Sequence, residues 1–134
     1  PTEKDFKFKG TKAEKGMAMS SYDKAEEILF AKLKLDRKKI ELVKGWFDKT
    51  IPSARERIGS ISLLHLDCDW YDSVKFCLEQ LYDQVVAGGI VVIDDYGSWA
   101  GAKQAVDEFI KRRDLNITLV KVDSDAIYFK KPQL

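Results

Sequence analysis

The sequence predicts an open α/β sheet with mostly parallel strands, and three observations carry that expectation. Two short apolar runs, residues 61–66 and 90–93, have the length and continuity of strands covered on both faces. Stretches of helical period precede, separate and follow them, which is the alternation of a parallel sheet with crossover helices. Two further apolar runs, residues 117–122 and 126–129, meet at Asp123-Ser124-Asp125 and read as a closing antiparallel hairpin.

In chain order, residues 1–20 are rich in Lys, Glu and Gly and poor in apolar groups. They are expected to form a flexible loop that orders only around a ligand. From Asp23 to Leu35, Ala25, Ile28, Leu29 and Leu33 face one way and Lys24, Glu26, Glu27, Lys32 and Lys34 the other, a helix preceded by Ser21 or Tyr22. Residues 39–44 alternate like a strand, and residues 45–52 read as a loop turning into a short helix. After the first buried strand, Asp72 or Ser73 can cap a helix whose Val74, Leu78, Leu81 and Val85 form one stripe, with Gly88-Gly89 as a left-handed C-cap. Ala102, Ala105, Val106, Phe109 and Ile110 define the core face of the next helix.

The 134 residues amount to one domain, and 23 Lys plus Arg against 22 Asp plus Glu leave no global field. The basic residues of the first fifteen positions and of Arg37-Lys38-Lys39 lack aromatic interleaving and read as a solvated face. No nucleic acid partner is therefore expected. No apolar run is long enough to span a bilayer and residues 1–5 lack a signal-peptide core, so a soluble, cytoplasmic protein without a membrane partner is expected. Cys68 and Cys77, nine residues apart and outside any CxxC spacing, read as buried reduced thiols.

Chemistry concentrates where the strands end. Asp67 and Asp69 close the first buried strand, Asp94 and Asp95 close the second, and Asp72 follows just behind. Carboxylates brought together raise one another's pKa, so such a cluster marks a cation or a shared proton. With one histidine and two separated cysteines, only oxygen ligands are on offer, which favours Mg²⁺, Ca²⁺ or Mn²⁺ over zinc. A D-x-D alone is weak, since it also occurs in glycosyltransferases and phosphatases. Asp94-Asp95 is stronger, because Tyr96-Gly97-Ser98 separates it from any helix it could cap. His65 shares strand parity with Asp67 and either faces the site or is satisfied within the sheet, the second being favoured. Trp46, Phe47, Trp70, Tyr96 and Trp99 read as core or lid residues, with Trp46 and Phe47 also able to pack on a flat ring. Lys103 reads as a surface lysine.

Four stretches in this order, Gly45-Trp-Phe-Asp-Lys-Thr-Ile-Pro52, Leu64-His-Leu-Asp-Cys-Asp-Trp-Tyr-Asp-Ser73, Gly88-Gly-Ile-Val-Val-Ile-Asp-Asp-Tyr-Gly97 and Ala105-Val-Asp-Glu-Phe109, resemble the macrocin O-methyltransferase family over about residues 39–131. The resemblance implies a Rossmann-like, class I methyltransferase fold and a Mg²⁺-dependent transfer of methyl from S-adenosylmethionine to a hydroxyl of a small molecule such as a sugar. It further implies Asp67, Asp94 and Asp95 as metal carboxylates, Asp69 as general base, and Gly45, Trp46 and Phe47 as cofactor contacts. No G-x-G turn follows a strand here. The chain thus looks like the C-terminal half of the family's domain, lacking the first two strands and inactive alone. Their absence would leave an open edge able to pair with a second copy of the chain as a homodimer. Two alternatives accompany this reading: a non-catalytic truncated domain acting as a dimerising module, and a D-x-D glycosyltransferase fragment.

Overall fold

The computed structural model describes residues 1–7, 14 and 21–133. Helix α1 (Tyr22–Glu26) begins at Ser21, whose side chain accepts from the Lys24 N–H, and continues as a wider π turn over Glu27–Lys32. A 3₁₀ turn (Arg37–Lys39) leads to α2 (Phe47–Ile58). Then come β1 (Ile61–Leu66), α3 (Tyr71–Leu81) with a 3₁₀ turn at Tyr82–Gln84, and β2 (Val85–Ile93). Helix α4 (Ala100–Arg112) and the hairpin β3 (Val120–Lys121) and β4 (Ile127–Lys130) close the chain.

The sheet order is β1-β2-β4-β3, with β1 and β2 parallel and β4 antiparallel to both its neighbours. Three strands thus run one way and only β4 opposes them, as the sequence leads one to expect. The core lies between this sheet and the packed helices α3 and α4, where Val74, Leu78, Val91, Ile93, Val106 and Phe129 are almost fully buried. Alternate residues of β2 and β4 meet there, Val91 opposite Phe129 and Ile93 opposite Ile127.

Five local expectations are corrected. Residues 39–44 form no strand: Arg37–Lys39 is a 3₁₀ turn and 40–44 has no ladder partner, so alternation there has no neighbour to pair with. Strand β1 is not covered on both faces. It is the sheet's edge, with Leu64 and Leu66 buried but Leu63 58% exposed. Neither Asp72 nor Ser73 caps α3, which starts one residue earlier at Tyr71, after a Trp70 that makes no capping bond. Gly88 and Gly89 end no helix. They lie inside β2, Gly88 with φ +75°, where the β1–β2 register shifts, and a Cβ on Gly89 would press on the Val86 and Ser62 carbonyls. The expected strand 117–122 shortens to Val120–Lys121, while its turn is held by Asp123 Oδ1, which accepts from the Asp125 and Ala126 N–H groups at 2.8 Å.

The expected flexible loop over residues 1–20 is docked at its start. Asp5, only 2% exposed, accepts from the Tyr71 N–H at 2.7 Å and so satisfies a first-turn donor of α3 from 66 residues away. Phe6 O accepts from the Ala100 N–H at 2.9 Å, and Lys7 bridges to Trp99. Gly101 leaves the room: a Cβ there would clash with the Asp5 carboxylate. Residues 8–13 and 15–20 of that loop lie outside the described residues.

Candidate active site at the strand ends

The parallel pairing of β1 and β2 sets Leu66 opposite Ile93, so the residues that follow each strand emerge side by side. The Asp94 N–H donates to Leu66 O at 2.9 Å and prolongs the ladder by one step. Asp67, Asp94 and Asp95 consequently converge, each presenting one carboxylate oxygen within 4.8 Å of the others. Asp72, on the first turn of α3, is not among them, and lines a separate hollow with Trp46, Phe47, Asp48, Ser73 and Phe76.

Asp69 joins through the backbone. Its φ of +52° turns the chain back so that its N–H donates to Asp95 Oδ2 at 3.1 Å. Burial, then the charges of Asp69, Asp67 and Asp94, push the Asp95 carboxyl up to about 7, against the partial relief of that N–H bond. Asp69 is likewise raised, by burial and by Asp67, while a bond from Trp99 and the charge of Lys7 pull the other way. Trp99 is itself fixed by an edge-on contact with Trp70, ring centres 4.8 Å apart, and by its N–H bond to Asp95 O at 3.0 Å.

His65 is not satisfied within the sheet. Its half-exposed ring reaches Asp94, at the end of the neighbouring β2, Nε2 to Oδ1 at 3.4 Å. Lys103 is bound to Asp107 and to the Tyr96 hydroxyl, a surface ion pair as expected. The trio Gly45, Trp46 and Phe47 divides. Gly45 and Phe47 border an apolar cavity of about 350 Å³ that runs along β1 past Leu64 and Leu66 to Asp67 and Cys68, whereas Trp46 is 79% exposed and points elsewhere.

Both cysteines are free and buried on that cavity. The neighbouring Cys77 and burial push the Cys68 thiol up, while Cys68 beside it holds Cys77 below the usual thiol range. Sequence reasoning missed Asp5 and Lys7, which touch the site's supports from the far N-terminus. No local pattern ties them to the site, since Asp5 reaches it through α3 and Lys7 through Trp99.

This chain, with acids at the ends of the parallel pair of a sheet ordered β1-β2-β4-β3, shares its fold with an O-methyltransferase of known structure. The chain superimposes on the structure of the O-methyltransferase NovP with a TM-score of 0.79 at 31% identity, covering 84% of this chain and 46% of that one. It matches the apo structure of CalS11, described as a TDP-rhamnose 3'-O-methyltransferase, with a TM-score of 0.56 at 25% identity over 66% of this chain and 40% of the other. Residues 2–131 match the family described as Macrocin-O-methyltransferase (TylF), and the chain belongs to that family.

Curated relatives include the demethyldecarbamoylnovobiocin O-methyltransferase of Streptomyces niveus, 35% identical over 69% of this chain and 34% of that protein. The mycinamicin III 3''-O-methyltransferase of Micromonospora griseorubida is 29% identical over 69% of this chain and 35% of its own length. The chain therefore spans about a third of the length of the curated relatives it matches. Family membership displaces the glycosyltransferase reading of the D-x-D. Among the described residues, no helix is long and apolar enough to cross a membrane.

Proposed function

We propose that the protein contributes the metal-binding and acceptor side of a cytoplasmic, S-adenosylmethionine-dependent O-methyltransferase that acts on a hydroxyl of a small molecule, such as a sugar of a natural product. The observation that carries this reading is the convergence of Asp67, Asp94 and Asp95 within 4.8 Å. Three hard oxygen donors that close can share one ion with bonds of about 2.0–2.6 Å, and burial first, then the neighbouring acids, raise Asp95. The donor set fits Mg²⁺, which when bound lowers the pKa of a hydroxyl it coordinates.

The remaining roles belong to the chain. Asp69, raised above the ordinary carboxylate range and held at the cluster by its N–H bond to Asp95, is placed to accept the acceptor's proton. Gly45 and Phe47 offer one wall of an apolar cavity ending at Asp67, the side from which a cofactor would be contacted, with the exposed Trp46 beside them. The chain carries no glycine-rich strand-to-helix turn, so its described residues offer part of a cofactor site and are expected to be inactive alone. Calorimetric titration with Mg²⁺ tests the proposal: one site is expected, weakened at least tenfold by Asp94→Asn, and either no binding or binding indifferent to that change would refute it.

A second reading is favoured by the bare edge of β1, where Leu63 is 58% exposed. That edge would take a further strand, from a longer parent chain or from a second copy in a homodimer. Sedimentation decides: a monomer at tens of micromolar excludes the second copy.

A further inference from the structure

Helices α3 and α4 each begin directly behind an acid-bearing loop, α3 at Tyr71 after residues 67–70 and α4 at Ala100 after residues 94–99. Neither Trp70 nor Trp99, which stand at the two helix starts, makes a side-chain capping bond. The first N–H of each helix is instead taken by one short stretch at the beginning of the chain. Asp5 Oδ1 accepts from the Tyr71 N–H at 2.7 Å, and Phe6 O accepts from the Ala100 N–H at 2.9 Å. The other Asp5 oxygen accepts from the N–H and the hydroxyl of Thr2, so this buried carboxylate is satisfied on both sides. Lys4 lies over the Tyr71 ring at 3.7 Å and Lys7 over the Trp99 ring at 5.1 Å. Residues 2–7 therefore tie the two helix starts to each other.

The near ends of the two acidic loops need no such tie, because the bond from the Asp94 N–H to Leu66 O already joins them. The far ends depend on it. Asp95 O accepts from the Trp99 N–H at 3.0 Å, Asp69 adjoins Trp70, and the rings of Trp70 and Trp99 meet edge-on. A shift of α3 against α4 is thus carried to Asp95 and to the bond it accepts from the Asp69 N–H.

We propose that residues 2–7 are a clasp that sets the spacing of the two acidic loops, with Asp5 as a positioning residue for the cation site. The clasp's role rests on the Mg²⁺ reading above, and Asp5 itself makes no contact with the ion. Metal–ligand distances are held to within about 0.2 Å, and groups that support metal ligands contribute roughly ten- to hundredfold to affinity. Opening the clasp should therefore weaken Mg²⁺ binding about tenfold while Asp67, Asp94 and Asp95 stay intact. Linkage makes the effect reciprocal, so bound Mg²⁺ must tighten the clasp by the same factor.

Calorimetric Mg²⁺ titration compares the parent with three variants. Asp5→Ala is expected to bind about tenfold more weakly. Asp5→Asn, which keeps an oxygen for the Tyr71 N–H, should retain most of the affinity, and Phe129→Leu, a core loss at mid-strand in β4, should bind like the parent. Unchanged affinity in Asp5→Ala overturns the proposal, and so does an equal loss in Phe129→Leu, which would make the effect one of general destabilisation. Circular dichroism of the metal-free protein reads the loop spacing itself. The exciton signal of the Trp70–Trp99 pair, assigned by its loss in Trp70→Phe, should fade in Asp5→Ala and persist in Phe129→Leu; a signal indifferent to Asp5→Ala overturns the clasp. Hydrogen exchange on the unaltered protein needs no variant to fold: saturating Mg²⁺ should slow the Tyr71 and Ala100 amides, and unchanged exchange there is a refutation. A parent that takes up no Mg²⁺ sinks the cation reading and the clasp's role with it. That outcome is distinct from failure of the clasp alone, in which parent and Asp5→Ala bind Mg²⁺ equally well.

Discussion

Replacing Asp95 by Asn should make the metal-free protein more stable at alkaline pH, although it removes a buried side chain that already has a hydrogen bond. Asp95 is 9% exposed, and burial together with Asp69, Asp67 and Asp94 pushes it from 3.8 up to about 7. A rise of that size corresponds to about 4 kcal/mol of ionisation cost once the pH is well above 7. The sign follows from linkage. The folded state binds this proton more tightly than the unfolded chain, so the group's contribution is full below about pH 4 and is lost as pH rises through 7. Asparagine keeps the oxygen that accepts from the Asp69 N–H but carries no charge. Part of the gain is spent desolvating the amide, which leaves an expected stabilisation of about 1–3 kcal/mol at pH 8.5 and close to none at pH 5. Urea unfolding at the two pH values, in chelator, measures it. Saturating Mg²⁺ should erase or reverse the difference, stabilising the parent by about 2.7 kcal/mol at a hundredfold excess over Kd and the variant by far less. A variant no more stable than the parent at pH 8.5, or a difference that does not change with pH, would show that folding does not raise the Asp95 carboxyl.

Asp5→Ala should lower stability by about 1–2 kcal/mol in urea unfolding, because it strips the Tyr71 N–H of its acceptor at the start of α3. Gly101→Ala, whose new methyl would meet the Asp5 carboxylate, should destabilise the parent but do much less harm on top of Asp5→Ala, a non-additivity that a double-mutant cycle reads directly. Phe129→Ala, at a fully buried position packed near Tyr82, should cost about 3–5 kcal/mol without altering Mg²⁺ affinity in any variant that remains folded.

Much of this protein was legible in its sequence because it is written locally. The apolar run 61–66, the stripe Ala102–Ile110 and the hairpin turn at Asp123 report their conformation within a few residues, and acids following two parallel strands must emerge at the same end of a sheet. That reasoning brought Asp67, Asp94 and Asp95 to one place. What local pattern could not reveal were matters of partnership. Val85 continued a helical stripe in the sequence yet opens β2, because its burial against the core is equally well met from a strand. Residues 39–44 alternate but pair with nothing among the described residues, and β1, apolar enough to be central, lies at an edge with Leu63 exposed.

By itself the sequence determined the order of elements, the end of the sheet where chemistry gathers and the hard-oxygen character of its donors, since these follow from periodicity and residue type. Only the tertiary structure decided that Asp72 stands apart, that Asp5 anchors the chain's start against α3 and Gly101, and that Cys68 and Cys77 line one cavity. Contacts between residues far apart in the chain depend on how whole elements pack, and no short-range pattern encodes that packing.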